Sequence, residues 1–245
     1  MVDRDFRKHA QQLLDLRDTY VVTVLSGAWP HSAPQLGVKY VKALREQIWS
    51  YVPRLPFICF TDREIPGVCT RYLPPWLPGW WGKIFSFAPS NFPLNSRIIV
   101  MDLDTVIAGP LDDILTVPLD KPVFIRDAWF NRHAGSGLFS FRVSARTAQI
   151  WNDFPHGSKG PPFLHPEDGL KSTDEHWLHT YLNKGGWASW DELVPGQCVS
   201  YKHHLHQSCE PLPEGVRAVY FDGAPRPHEV EASWNPMSYP ENQTP

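Results

Sequence analysis

The sequence predicts an α/β fold built on a mostly parallel central sheet, and three observations predict it. Tyr20-Val-Val-Thr-Val-Leu25 is a β-branched run bounded by Ser26-Gly27, which reads as a buried strand opening into a loop. Leu36, Tyr40, Val41, Leu44, Ile48 and Trp49 keep helical spacing up to Pro53, and Phe57-Ile-Cys-Phe60 follows as a second apolar strand ending in Thr61-Asp62. Strand, helix and strand make a βαβ unit with a parallel pair. Third, Arg97-Ile-Ile-Val-Met101 is a strand that runs straight into Asp102-Leu-Asp104.

The remaining elements follow in order. Residues 1–19 hold a leading helix carrying Phe6, Leu13, Leu14 and Leu16. Trp81 to Phe87 is a short helix after the loop Pro74-Pro-Trp-Leu-Pro-Gly-Trp-Trp81. Strands are expected at Val123–Arg126, at Leu138–Arg142 and near 197–201 and 217–221, with helices over 144–153 and 173–184. The Pro/Gly-rich stretch 155–171 reads as an active-site loop. These elements make one catalytic domain over 20–235, and residues 236–245 read as a disordered polar tail.

Composition narrows the function. Lys and Arg number 23 against 26 Asp and Glu, a net charge of −3, which disfavours an electrostatic grip on nucleic acid. No apolar run approaches the ~20 residues of a transmembrane helix. The four cysteines show no Cys-x-x-Cys spacing and no apolar leader opens the chain, which points to a cytoplasmic protein, at most peripheral at a membrane surface. The chain is rich in Pro (25) and Trp (11), many of them in loops, so loops are expected to carry much of the chemistry.

The strongest chemical signal is Asp102-Leu-Asp104. Strand alternation would put both carboxylates on one side, at the carboxyl end of a strand, where open α/β sheets bind ligands. Two such carboxylates suit Mg²⁺ or Mn²⁺, which takes its remaining ligands from phosphate and water. The bland alternative is a turn with two solvated aspartates. Asp127, after Val123–Arg126, ends another strand at the same crevice and is a candidate for holding donor hydroxyls.

These motifs, in this order, resemble those of the GT-A glycosyltransferases, particularly the family 8-like retaining group, from about Tyr20 to His228. Asp102-Leu-Asp104 looks like that family's metal-binding Asp-x-Asp, and Trp81-Gly-Lys83-Ile-Phe85 is similar to the stretch whose basic residue meets the nucleotide sugar. Ala134-Gly135-Ser136-Gly137-Leu-Phe-Ser-Phe141 resembles a small-residue turn and strand set against the donor sugar. Ser172-Thr-Asp174-Glu175-His-Trp-Leu178 looks like the family's acidic helix start, which makes Asp174 and Glu175 the catalytic candidates. A capping box from Ser172 to Glu175 is the competing reading of that segment. Phe221-Asp222-Gly223-Ala-Pro-Arg226-Pro227 resembles the carboxy-terminal element that closes over the diphosphate, with Arg226 where the family has Lys. The family's metal-binding His before that Phe is Tyr220 here, so Asp222 or His228 would supply the third ligand. Asp62 resembles the acidic residue beside the nucleoside, and equally a turn aspartate.

The resemblance implies a GT-A-like domain that transfers a sugar from a nucleotide-diphosphate donor, a UDP-sugar, to a hydroxyl-bearing acceptor (glycan, lipid or small molecule) with retention and with Mn²⁺ or Mg²⁺. An inverting reaction would need a base, for which His165, Glu167 or Asp168 is available. Two rivals remain. Asp102-Leu-Asp104-Thr-Val106 also fits a haloacid dehalogenase-type phosphatase, although that signature sits on a first strand. A carbohydrate-binding module would explain the tryptophans, which otherwise read as a stacking platform (Trp76, Trp80, Trp81) or as a hydrophobic flap. Cys198, His203, His206 and Cys209 invite a zinc reading at a spacing foreign to the usual fingers.

Overall fold

A computed structural model describes residues 16–27, 37–77, 79–126, 134–156, 173–207 and 211–238. The expected leading helix up to residue 15, Leu36, Asp127, residues 157–172 with His165, Glu167, Asp168 and Ser172, Cys209, and residues 239–245 of the expected tail lie outside them, whereas Met237 of that tail is buried in the core.

The central sheet has seven strands in the order β3-β2-β1-β4-β7-β6-β8. These are β1 (Thr19–Leu25), β2 (Phe57–Thr61), β3 (Cys69–Tyr72), β4 (Arg97–Met101), β6 (Val123–Arg126), β7 (Ala134–Arg142) and β8 (Ala188–Ser189). Among the described residues β7 runs antiparallel to β4 and β6, while the other pairings are parallel. The expected βαβ unit is present: α1 (Gly37–Tyr51) joins β1 to β2 and buries Tyr40, Val41, Leu44, Gln47 and Ile48. Trp49 instead stands partly exposed, with its indole N–H donating to the Leu55 carbonyl.

Because both faces of the sheet are covered, its inner strands are apolar on both sides, with successive residues facing opposite cores. Val21, Ile99 and Met101 pack with α1 and α2 (Asp112–Thr116), while Val22, Ile98 and Val100 pack under the 3₁₀ helix Gly79–Phe87, α3 (Ala145–Asn152) and α4 (Asp174–Gly185). The second layer is aromatic: Phe87 stacks on Phe141 with centroids 4.2 Å apart, and Phe124 on Phe139 at 5.0 Å. Trp81 and Trp190, the latter on α5 (Trp190–Leu193), are buried in the cores.

A second sheet of three strands, in the order β5-β10-β9, joins β5 (Thr105–Ile107), β9 (Cys198–Ser200) and β10 (Ala218–Tyr220). Its register sets Tyr220 opposite Thr105, which carries the chain after Tyr220 alongside Asp104. Gln47 on α1 ties this sheet down by accepting the Ile107 N–H at 2.8 Å.

Candidate functional site

The parallel strands switch direction of succession between β1 and β4, which is where such sheets bind ligands. A crevice of about 340 Å³ opens there, lined by Val24, Leu25 and Ser26 after β1 and by Asp102, Leu103 and Asp104 after β4. The route by which the two aspartates reach it differs from strand alternation. β4 ends at Met101, and Asp102 to Thr105 form a reverse turn closed by the Thr105 N–H on the Asp102 carbonyl at 3.0 Å.

Across β4 lies the strand that carries Gly135, Ser136 and Gly137. This segment is part of β7, not a turn before it, and a bulge opposite Phe124 and Ile125 aims it at the crevice. The glycines keep that wall low. A Cβ on Gly135 would meet Ile125 Cγ1 at 2.9 Å, and one on Gly137 would lie 3.5 Å from Asp102 Oδ2.

Lys83 is the hub. Gly82 lets the 3₁₀ helix press against β1, since a Cβ there would sit 2.6 Å from Val24 Cγ1, and this sinks Lys83 beneath the crevice. Its Nζ donates to Ser136 Oγ at 2.8 Å and pairs with Asp102 Oδ1 at 3.1 Å and Asp174 Oδ2 at 3.3 Å. Burial by itself would depress this ammonium, but the carboxylates of Asp102, Asp174 and Glu175 outweigh it and hold Lys83 above the usual lysine range. Desolvation pushes Asp102 up to about 7, with Asp104 and Asp174 adding to the rise and Lys83 opposing it. Asp104 is also raised, again first by desolvation, against Arg226 and Lys83.

The acidic helix start lands here too. α4 begins at Asp174 with Thr173 at its N-cap, and Glu175 reaches across to β7, accepting the Ser136 N–H at 2.9 Å. That bond gives Glu175 a tertiary partner in addition to any role at its own helix terminus. Asp174 is buried on Lys83, whereas Glu175 is half-buried at the wall.

The carboxy-terminal segment closes the opposite side. Asp222 and Gly223 lie beyond β10, so Asp222 reaches the crevice past the end of the strand and accepts a hydrogen bond from Ser200 Oγ at 2.6 Å. Gly223 has φ of +89°, a conformation that suits glycine, and from there the chain turns so that the Arg226 guanidinium binds Asp104. His228 is set apart from the crevice lining, with its Nδ1 2.5 Å from the Tyr40 hydroxyl. Asp62 is also outside the lining; it accepts the Gly27 N–H at 3.0 Å and binds Arg63.

Sequence reasoning missed three contributors. Tyr40 sits on the core face of α1 and holds His228, yet its spacing marked it as core. Arg126, which lines the crevice and pairs with Glu192, was overshadowed by its neighbour Asp127. Tyr220 is itself part of the lining. Of the tryptophans, Trp80 lines the crevice, while Trp76 stacks on Trp151 with centroids 5.8 Å apart. Among the described residues no group of three or more His, Cys, Asp or Glu is clustered to hold a metal ion, and His204 Nδ1 near the suggested zinc ligands accepts the Ser200 N–H at 2.9 Å.

No protein-family profile matches the sequence, and no curated protein matches it. Solved structures do. The glycosyltransferase GlyE of Streptococcus pneumoniae TIGR4 superposes with a TM-score of 0.55 at 12% identity, over 87% of this chain and 56% of that one, so the present chain spans little more than half of GlyE. An active-site mutant of LgtC gives 0.55 at 10% identity, over 87% of this chain and 91% of LgtC. LgtC, a galactosyltransferase, is also known in complex with donor and acceptor sugar analogues, and in that form it gives 0.54 at 10% identity over 85% and 88% of the two chains. The bifunctional glycosyltransferase WbbM gives 0.52 at 11% identity, over 85% of this chain and 46% of its own. The chain therefore has the α/β fold of the GT-A glycosyltransferases.

Proposed function

We propose that this chain is a glycosyltransferase that moves a sugar from a nucleotide-diphosphate donor, a UDP-sugar, to a hydroxyl-bearing acceptor with retention at the anomeric carbon, aided by a divalent ion. The observation that supports it is the convergence of Asp102, Asp104, Lys83 and Arg226 on one crevice at the switch point of a sheet with the transferase fold.

Asp102 and Asp104 offer hard carboxylate oxygens on one turn, a pair that suits Mn²⁺ or Mg²⁺ whose other ligands are phosphate and water; Asp222 lines the same crevice but is not clustered with them into a three-residue group. His228, held by Tyr40, is the less suited alternative. When bound, the ion supplies positive charge to the leaving diphosphate. The protein's own groups do the rest. Arg226, a planar fork of donors, suits the diphosphate oxygens, and Lys83 adds a fixed buried positive charge beneath the site. Asp174 positions Lys83, whereas Glu175 stands at the wall formed by Ser136, where the donor sugar would lie. Gly135 and Gly137 leave room for the sugar, and Gly223 allows the closing turn. As the bond from the anomeric carbon to the diphosphate breaks, the acceptor oxygen bonds to that carbon from the same side and its proton passes to the departing phosphate oxygen. Asp127, outside the described residues, belongs to this reading as a contact of donor hydroxyls, and Asp62, outside the crevice lining and bound to Arg63 and the Gly27 N–H, would meet the nucleoside only beyond the crevice rim.

Among the described residues no helix is long and apolar enough to cross a membrane, and Cys59, Cys69 and Cys198 are free thiols, features compatible with a cytoplasmic setting. The deciding experiment is hydrolysis of a panel of nucleotide sugars and of phosphate esters, with and without Mn²⁺. Mn²⁺-stimulated cleavage of one nucleotide sugar is expected. Cleavage of phosphate esters with no action on any nucleotide sugar would replace this reading with the phosphatase one.

A further inference from the structure

We propose that Arg226 is a resident counter-ion of Asp104 which the donor's diphosphate draws away, so that nucleotide and divalent ion bind cooperatively through this one arginine. The inference rests on the transferase reading and adds a coupling within the same site.

Asp104 is the most deeply recessed carboxylate of the acidic turn, its side chain 11% exposed against 38% for Asp102. A carboxylate so placed requires a positive partner. Arg226 supplies it from 122 positions further along the chain, donating through Nη1 to Oδ2. The arginine is held there from several sides. Tyr40 takes His228 through Nδ1 at 2.5 Å, and Asn235 Nδ2 donates to the Pro227 carbonyl at 2.6 Å. Glu229 Oε2 accepts the Arg226 N–H at 2.5 Å. The guanidinium thus occupies the carboxylate on which a divalent ion would draw, and like charges at contact repel one another.

A diphosphate changes the balance. It carries more negative charge than a carboxylate and matches the guanidinium fork in two places, so it competes for Arg226. Once the arginine turns to the phosphates, Asp104 is open to the ion. Nucleotide therefore favours metal, and by thermodynamic reciprocity metal favours nucleotide by the same factor.

Two variants give signs that a plain metal site does not. Arg226→Gln should bind Mn²⁺ in the absence of nucleotide about tenfold more tightly than wild type, the size of one charge-assisted hydrogen bond removed from competition. Arg226→Lys, which keeps the charge, should stay near wild type. Asp104→Asn should bind UDP in EDTA more tightly than wild type, because Arg226 is released, while losing the gain that Mn²⁺ gives. Titration calorimetry with Mn²⁺ alone, with UDP in EDTA and with both measures each arm, and thermal melts confirm folding. Equal Mn²⁺ affinity of wild type and Arg226→Gln, including no binding by either, overturns the exchange, as does unchanged or weaker UDP binding by Asp104→Asn in EDTA. Mn²⁺ competition as expected, with no UDP binding to wild type in any condition, would overturn the transferase reading and the donor's part in the exchange while leaving the arginine a bare counter-ion.

Discussion

Lys83 Nζ lies 3.1 Å from Asp102 Oδ1 and 3.3 Å from Asp174 Oδ2, so one buried ammonium fastens the turn after β4 to the first turn of α4. The two elements are far apart in sequence, and the pairing makes the crevice floor a single electrostatic unit. Removing the ammonium leaves Asp174, 3% exposed, without its counter-charge. Lys83→Met should therefore cost about 3 kcal/mol of unfolding free energy, at the lower end for a broken buried pair because Asp102 is partly solvated. The loss should shrink at low pH. Lys83 opposes the desolvation that raises Asp102, so without the ammonium that carboxyl binds protons still more readily folded than unfolded, and the variant regains stability as pH falls. Urea unfolding at pH 8 and pH 5 checks both; equal losses at the two would show that Lys83 holds no carboxylate in place.

Asp102 in the wild-type protein gives a second pH signature. Desolvation raises its pKa to about 7, above the ~3.9 of an unfolded aspartate, so the folded state takes up a proton between those values. Its contribution to stability is then greatest below about pH 4 and declines as pH rises toward 7. Carboxyl NMR of metal-free protein should show Asp102 titrating near neutrality, and Asp102→Asn should flatten stability over that interval. A carboxyl midpoint near 4 would refute it.

Glu175 separates structural from chemical duty. Its Oε1 accepts the Ser136 N–H at 2.9 Å, so Glu175→Ala leaves that donor without this partner and should cost about 1–3 kcal/mol. Glu175→Gln keeps an acceptor oxygen and should remain near wild-type stability. If the charge serves the reaction, Gln lowers kcat with KM for donor nearly unchanged. Loss of stability in Gln equal to that in Ala would show that the bond to Ser136 is not what holds the wall.

Much of this was legible in the sequence. Val21 and Val22, or Ile98 and Ile99, face opposite cores, and continuous β-branched runs of that kind announce strands buried on both sides. The α1 spacing and the acidic end of β4 were equally local signals. β3 was not legible, because Cys69–Tyr72 is an exposed edge with polar residues among its four, and β8 is two residues long. β5 is short and continues from the acidic turn, so its place in a second sheet depends on pairing with Ala218–Tyr220, which no local pattern records. For the same reason Asp104 and Arg226 could each be singled out, but their contact could not. Tyr40 looked like any apolar helix position until the chain's end folded against it.

The third metal ligand is the last question the geometry sharpens. Asp222 lines the crevice beside Tyr220, whereas the Nδ1 of His228 is engaged by the Tyr40 hydroxyl on α1. Asp222→Ala should therefore weaken Mn²⁺ and UDP together, and it also removes the acceptor of the Ser200 hydroxyl, so Asp222→Asn is the better control: it keeps that acceptor while removing the charge. His228→Ala should not weaken Mn²⁺; by loosening the Arg226 segment that competes for Asp104 it should raise Mn²⁺ affinity, in the direction of Arg226→Gln. Mn²⁺ titration calorimetry of Asp222→Asn and His228→Ala, with thermal melts to confirm folding, separates the two: weakened Mn²⁺ in Asp222→Asn only assigns the aspartate, and weakened Mn²⁺ in His228→Ala only assigns the histidine.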